Sequence, residues 1–142
     1  MAENAHVNGP PVTRTVLVTG FLGAGKTTFL NRLIAHYTEA GLNIAVMVNE
    51  FGNIGIDGAL VTEGDFPKIE LNKGSIFCIC MRTDFISEVK RIAEEIRPDI
   101  LLIEATGIAR VDDLYAMMSM NGLDRLLSIE KNICVADATS FY

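Results

Sequence analysis

The sequence has little cysteine: three residues in 142. An odd, small number of thiols gives no disulfide framework, and the pattern is that of a cytoplasmic protein. Long apolar runs are missing too, and no uncharged stretch approaches the roughly 18 residues that a membrane-spanning helix needs. The segment from Met1 to Arg14 is polar, holds Pro10 and Pro11, and contains no apolar core of the kind a secretory signal carries. Positive charge is scarce, with 12 Lys and Arg against 18 Asp and Glu, for a net charge of −6. A chain of this sign is repelled by phosphate backbones, which argues against general nucleic-acid binding. Repeats and low-complexity tracts are absent. What is present is 49% hydrophobic and 21% charged residues, the balance of a folded globular protein. The length suits one domain that buries roughly two-thirds of its unfolded surface.

Residues 1–12 read as a flexible tail and 13–142 as one domain. Thr13 to Thr19 opens with the consecutive apolar residues Val16, Leu17 and Val18, the signature of a strand buried on both faces. A glycine-rich turn follows, and then a helix with apolar residues at Phe29, Leu30, Leu33, Ile34 and Tyr37, stopped by Gly41. Leu42 to Val48 is a second strand. Asn49 to Gly64 carries Gly52, Gly55, Gly58 and Gly64 and reads as a long functional loop. A short strand is expected at Lys68 to Leu71. An amphipathic helix is expected from Asp84 to Arg97, with Phe85, Val89, Ile92 and Ile96 on one face and Lys90–Glu94 and Arg91–Glu95 pairs on the other. Pro98 ends it, and Ile100 to Ile103 is a third strand. Val111 to Met120 and Leu123 to Ser128 read as weaker helices, and Asn132 to Ala136 as a fourth strand. Strands alternating with helices predict an α/β fold: a three-layer sandwich with a mainly parallel sheet, of the phosphate-loop NTPase type.

The chemistry concentrates at Gly20-Phe21-Leu22-Gly23-Ala24-Gly25-Lys26-Thr27-Thr28, which fits G-x-x-x-x-G-K-[ST] between a strand and a helix. Glycines allow successive amides to turn toward a phosphate, because no Cβ blocks the approach. The helix that follows directs its positive dipole end at the same anion. Gly20, Gly23, Ala24, Gly25, Lys26, Thr27 and Thr28 are therefore the candidate nucleotide-binding residues. Lys26 adds charge between the β- and γ-phosphates, and Thr27 offers its hydroxyl to Mg²⁺. The motif specifies a nucleoside triphosphate and leaves ATP and GTP open.

Glu104 stands at the C-terminal end of the Ile100–Ile103 strand, the edge where parallel sheets bind ligands. A carboxylate there can hold Mg²⁺ through water or position the attacking water, so Lys26 and Glu104 are the candidate catalytic residues. Gly107 can bring its amide to a γ-phosphate. Cys78 and Cys80 flank Ile79. In an extended segment alternate side chains share a side, so this pair can present two thiolates to one soft ion such as Zn²⁺, Cu(I), Co²⁺ or Ni²⁺. Two sulfurs do not complete a tetrahedral site, and Glu50, Asp57, His36, a second subunit or water can supply the rest. Cys134, within Ile133-Cys134-Val135, reads as core. His6 and His36 have no second ligand nearby in sequence, and Met117, Met118 and Met120 read as packing or interface residues.

Four further segments accompany the phosphate loop in order: Asn49-Glu50-Phe51-Gly52 with Ile56-Asp57-Gly58, Cys78-Ile79-Cys80 after Gly74, Ile103-Glu104-Ala105-Thr106-Gly107, and Val135-Ala136-Asp137-Ala138. Together they resemble the CobW-type branch of the metal-linked GTPases, cousins of urease and hydrogenase accessory proteins. The resemblance implies Mg²⁺-dependent GTP binding and hydrolysis coupled to delivery of a metal (zinc, cobalt or cobalamin, or nickel) to a client metalloprotein or cofactor enzyme. It also implies a nucleotide-dependent homodimer, a switch role for Glu50 and Asp57, Asp57 beside Thr27 and Glu104 near Mg²⁺, and Glu50 with Cys78 and Cys80 at the transported metal. The alternative is a nucleotide- and metal-binding module with negligible hydrolysis that acts by docking to a partner. The sequence departs from the family's C-x-C-C pattern, with Ser75 and Phe77 near the first thiol positions and Met81 after the last. It contains no N/T-K-x-D element for reading guanine; either the domain is cut short before that element or it is a natural minimal form that finishes its fold by pairing with another chain, and in both cases poor discrimination of GTP from ATP is expected.

Overall fold

Three apolar runs of the sequence become the centre of a sheet. The computed structural model describes residues 12–49, 68–71, 79–104 and 111–140. Strand β1 is Thr13–Gly20, followed by helix α1 (Lys26–Glu39), β2 (Ile44–Asn49), β3 (Lys68–Leu71), α2 (Ile79–Arg91), β4 (Ile100–Glu104), α3 (Val111–Met120) and β5 (Leu127–Val135). The five strands form one sheet in the order β3-β2-β4-β1-β5, and every pairing is parallel. Val16–Val18, Ala45–Val48 and Ile100–Ile103 are buried. Both faces of the sheet are covered, so these strands carry continuous apolar residues instead of an alternating pattern.

Two cores flank the sheet. On one face Leu30 and Ile34 of α1 pack on Val16, Val18, Val46 and Leu102. On the other, Phe85, Val89 and Ile92 with Leu114, Met117 and Met118 of α3 pack on Leu17, Met47, Leu101 and Ile103. This is the α/β/α sandwich the element order predicts. The Gly41 stop also holds: Leu42 N–H donates to Tyr37 O at 3.1 Å and Gly41 N–H to Thr38 O at 2.9 Å, with Gly41 at φ 73, the Schellman ending that only a left-handed residue closes. Met117 and Met118 are core, whereas Met120 is exposed.

Several expectations require correction. The second helix begins at Ile79, not at Asp84, so Cys80 sits in its first turn instead of in an extended segment. The same helix ends in a π-turn, Ile92–Ile96, in which Arg97 N–H donates five residues back to Ile92 O at 2.8 Å. That wider turn breaks the i, i+4 rows, and Arg91 pairs with Glu88 at 2.9 Å instead of with Glu95. Finally, the Leu123 segment is only a short 3₁₀ turn through Arg125, and the last strand starts at Leu127, before the expected Asn132.

Strand β5, last in the order of the described strands, carries a bulge. Thr15 pairs with Ile129 but Val16 pairs with Lys131, so Glu130 is the extra residue. The bulge moves the strand's side chains to opposite faces on its two sides. Ile129 packs with the α2–α3 core, and Ile133 and Val135 with the α1 core. Cys134, between them, is exposed, which overturns its reading as a core residue: it points away from the face on which Ile133 and Val135 pack, and among the described strands β5 has a neighbour on one side only.

Thr15, on β1 opposite the bulge, is wholly buried, and among the described residues its Oγ1 has no hydrogen-bond partner. A buried hydroxyl without a partner costs about 1–3 kcal/mol. Thr15→Val keeps the shape and removes the polar atom. It is expected to stabilise the fold by about 1 kcal/mol, measured as a higher urea midpoint with unchanged slope.

Candidate nucleotide site

The connections from β1 and β4 leave the sheet on opposite faces. After β1 the chain enters α1 on one side, and α3, which follows β4, packs on the other. β1 and β4 are neighbours, so the crevice between their C-terminal ends is a topological switch point, where open parallel sheets hold ligands. The phosphate-loop motif and Glu104 both arrive there.

The loop leaves β1 at Gly20, whose φ is 138. A Cβ at this position would overlap the carbonyl oxygen of Val135 on β5 and lie 3.1 Å from its carbonyl carbon. Next to it, the Thr19 hydroxyl donates to Ile133 O, also on β5, at 3.3 Å. The loop then folds through a turn in which Ala24 N–H donates to Phe21 O at 3.2 Å. Gly25, at φ 93 and ψ 17, delivers the chain into α1.

Helix α1 begins without a side-chain cap and without an acidic residue in its first turn. Its first backbone bond runs from Phe29 N–H to Gly25 O at 3.0 Å. The amides of Lys26, Thr27 and Thr28 therefore have no acceptor within the helix and face out of its positive end. Lys26 Nζ donates to Phe21 O at 3.0 Å and lies 4.0 Å from Glu104 Oε1, the two side chains being 5% and 6% exposed. A buried ammonium and carboxylate at this separation offset part of each other's desolvation. Thr27 is half-buried and Thr28 exposed. The arrangement offers the first-turn amides of α1, a cation and hard oxygen donors from Thr27 and Glu104, the donor type Mg²⁺ takes. Phe21 and Leu22, at the loop's tip, are 79% and 81% exposed.

The structure thus brings together Gly20, Gly23, Ala24, Gly25, Lys26, Thr27, Thr28 and Glu104. Glu50, Asp57, Cys78 and Gly107 lie outside the described residues. Cys80 is placed on α2. His36 is exposed and ten residues along α1 from Lys26, about 15 Å at the helical rise, so it is remote from the loop. Among the described residues no three His, Cys, Asp or Glu side chains cluster as a metal site, and no helix is long and apolar enough to cross a membrane. Beyond β5, Asp137 Oδ1 accepts from the Thr139 hydroxyl at 2.7 Å and the Thr139 amide at 2.9 Å. Those bonds hold its carboxyl below the usual range. Motif reasoning passed over Thr19 and the β5 carbonyls. A threonine closing an apolar run is the only sequence signal for the first, and a backbone carbonyl leaves none.

Comparison with known proteins supplies the family. The sequence model described as CobW/HypB/UreG, nucleotide-binding domain, matches residues 14–142. The chain is 34% identical over 128 residues to "Zinc chaperone YeiR" of Escherichia coli (strain K12), covering 89% of this chain and 38% of that protein. It is 34% identical over 145 residues to "Zinc chaperone CobW" of Sinorhizobium sp, covering 96% of this chain and 39% of the relative. It is 38% identical over 106 residues to "Zinc-regulated GTPase metalloprotein activator 1" of Dictyostelium discoideum, covering 66% and 22%. The chain therefore spans about two-fifths or less of these relatives' own length. A phosphate loop and a buried carboxylate meeting at the switch point of a parallel sheet, with the family match over nearly the whole chain, place this protein in the CobW/HypB/UreG nucleotide-binding family.

Proposed function

We propose that this chain is a Mg²⁺-dependent GTP-binding and hydrolysing domain that couples nucleotide turnover to delivery of zinc to a client metalloprotein. The observation that carries the reading is Lys26 held at the mouth of the phosphate loop, 4.0 Å from Glu104 at the end of the neighbouring strand. In this reading the loop amides and Lys26 bind the β- and γ-phosphates, and Thr27 and Glu104, with Asp57, hold Mg²⁺. Mg²⁺ supplies charge neutralisation for the transferring phosphoryl group. Glu104 positions the attacking water, and Gly107 meets the γ-phosphate. Catalysis is positioning and electrostatics, with no covalent intermediate.

Zinc is favoured over cobalt and nickel as cargo because the relatives' names specify zinc. Cys78 and Cys80, with Glu50, are the proposed ligands, and nucleotide state sets their affinity. The helical start at Ile79 changes how two thiols at this spacing reach one ion. The test is anaerobic titration of the reduced protein with Zn²⁺ and Co²⁺, with and without Mg²⁺–GTP, against a Cys78→Ser/Cys80→Ser double variant. The expected result is thiolate-to-cobalt absorption in the parent only, with an affinity that GTP shifts about tenfold, a coupling of roughly 1.4 kcal/mol. A double variant that binds as tightly as the parent would remove the cysteines from the metal site.

A further inference from the structure

Strand β5 touches the phosphate loop's first residues twice through its backbone carbonyls. The Thr19 hydroxyl donates to Ile133 O at 3.3 Å, and Gly20 packs against the Val135 carbonyl so closely that no Cβ fits. These contacts bracket Cys134, the residue in register with Thr19. Among the described strands β5 has a single neighbour, β1, so its C-terminal end is held to the sheet from one side only. Thr15, two turns of the pleat earlier, shows that a buried threonine on this strand need not be bonded: its hydroxyl has no partner among the described residues. The bond at Thr19 is local to the take-off of the loop.

We propose that Thr19 is a positioning residue for nucleotide binding: its bond to Ile133 O fixes β5 against Gly20 and so sets the direction in which the phosphate-loop amides leave the sheet. The proposal rests on the nucleotide-binding reading above. The loop binds phosphate through amides that must converge on one point, and a displacement at its first residue is carried into each of them. A neutral hydrogen bond of this kind is worth enough to change affinity about fivefold when it is lost.

The test is isothermal titration of Mg²⁺–GTP and Mg²⁺–GDP into the parent, Thr19→Val, Thr19→Ser, Thr19→Ala and Thr15→Val, with urea unfolding of each. Thr19→Val is expected to bind both nucleotides about fivefold more weakly, while Thr19→Ser and Thr15→Val stay within about twofold of the parent. Should Thr19→Val fail to fold, the Ser and Ala variants, which differ only in the hydroxyl, carry the same comparison. A parent that binds neither nucleotide overturns the nucleotide reading and this proposal with it. A parent that binds, with Thr19→Val equal to Thr15→Val or with Thr19→Ser as weak as Thr19→Ala, overturns the role of Thr19 alone. Affinity that falls only in step with the urea midpoint also overturns it, because the hydroxyl would then serve folding and not the loop.

Discussion

Lys26→Ala is expected to weaken Mg²⁺–nucleotide binding by about 100-fold or more, the loss that follows from removing one charged hydrogen-bond donor from a desolvated phosphate site. The same change has a second consequence that must be separated from the first. Lys26 lies 4.0 Å from Glu104 with both side chains nearly inaccessible. Taking away that cation makes the buried carboxylate more costly and is expected to destabilise the fold by about 1–3 kcal/mol. The double variant Lys26→Met/Glu104→Gln replaces the two charges by neutral groups of similar shape. It is expected to recover most of the urea midpoint and none of the affinity. If affinity returned with stability, the lysine would be acting through the fold and not on the phosphates. Binding within about fivefold of the parent for Lys26→Ala would remove the lysine from the site altogether.

Gly20→Ala is expected to be the most damaging single methyl addition in the described part of the chain. Two costs add. The backbone at φ 138 is a conformation that residues with a Cβ rarely adopt, worth about 1–3 kcal/mol. The new methyl would also overlap the Val135 carbonyl oxygen, and a backbone atom cannot move aside as a side-chain tip does, so overpacking adds about 1–3 kcal/mol. The sum, about 2–6 kcal/mol, corresponds to a fall in Tm of roughly 6–18 °C for a chain of this size, measurable by calorimetry. Gly23 provides the control. It also has positive φ, at 79, but open space surrounds its Cβ position. Gly23→Ala is expected to lose only the conformational part, about 1 kcal/mol. Equal losses at the two positions would show that contact with β5 contributes nothing.

What was legible in the sequence follows from where each element lies. β1, β2 and β4 are covered on both faces, so their apolar runs announce them. α1 has one buried face, a positive-φ glycine at its end and the phosphate loop at its start, and all three leave local signatures. The phosphate loop was readable for the same reason: its chemistry is packed into consecutive residues. β5 was half-hidden because it carries the exposed residues Ser128, Glu130, Lys131 and Asn132, and because the Glu130 bulge breaks the alternation that identifies strands. Cys134 was misread by the same mechanism, since its apolar neighbours Ile133 and Val135 turn toward α1 while it does not. The π-turn at Ile92–Ile96 escaped because Phe85, Val89, Ile92 and Ile96 fit an α-helical stripe equally well. The seat that β5 provides for Gly20 involves backbone carbonyls, which every residue possesses, so no residue type could mark it.

The order of the strands sets when the site can exist during synthesis. Arg14 pairs with Ile100, 86 residues further on, and Thr19 with Cys134, 115 residues further on, whereas β1 has no pairing with β2, the strand next in sequence. A ribosome adds about 5–20 residues per second, so the apolar Val16-Leu17-Val18 run waits about 4–17 s for its first partner strand. It waits longer for the β5 carbonyls against which Gly20 closes. Loop closure over such separations is slow as well as late. On the proposed reading, nucleotide capture waits for β5 to dock, and until β1 is paired its apolar run is exposed to any neighbour that will pair with it.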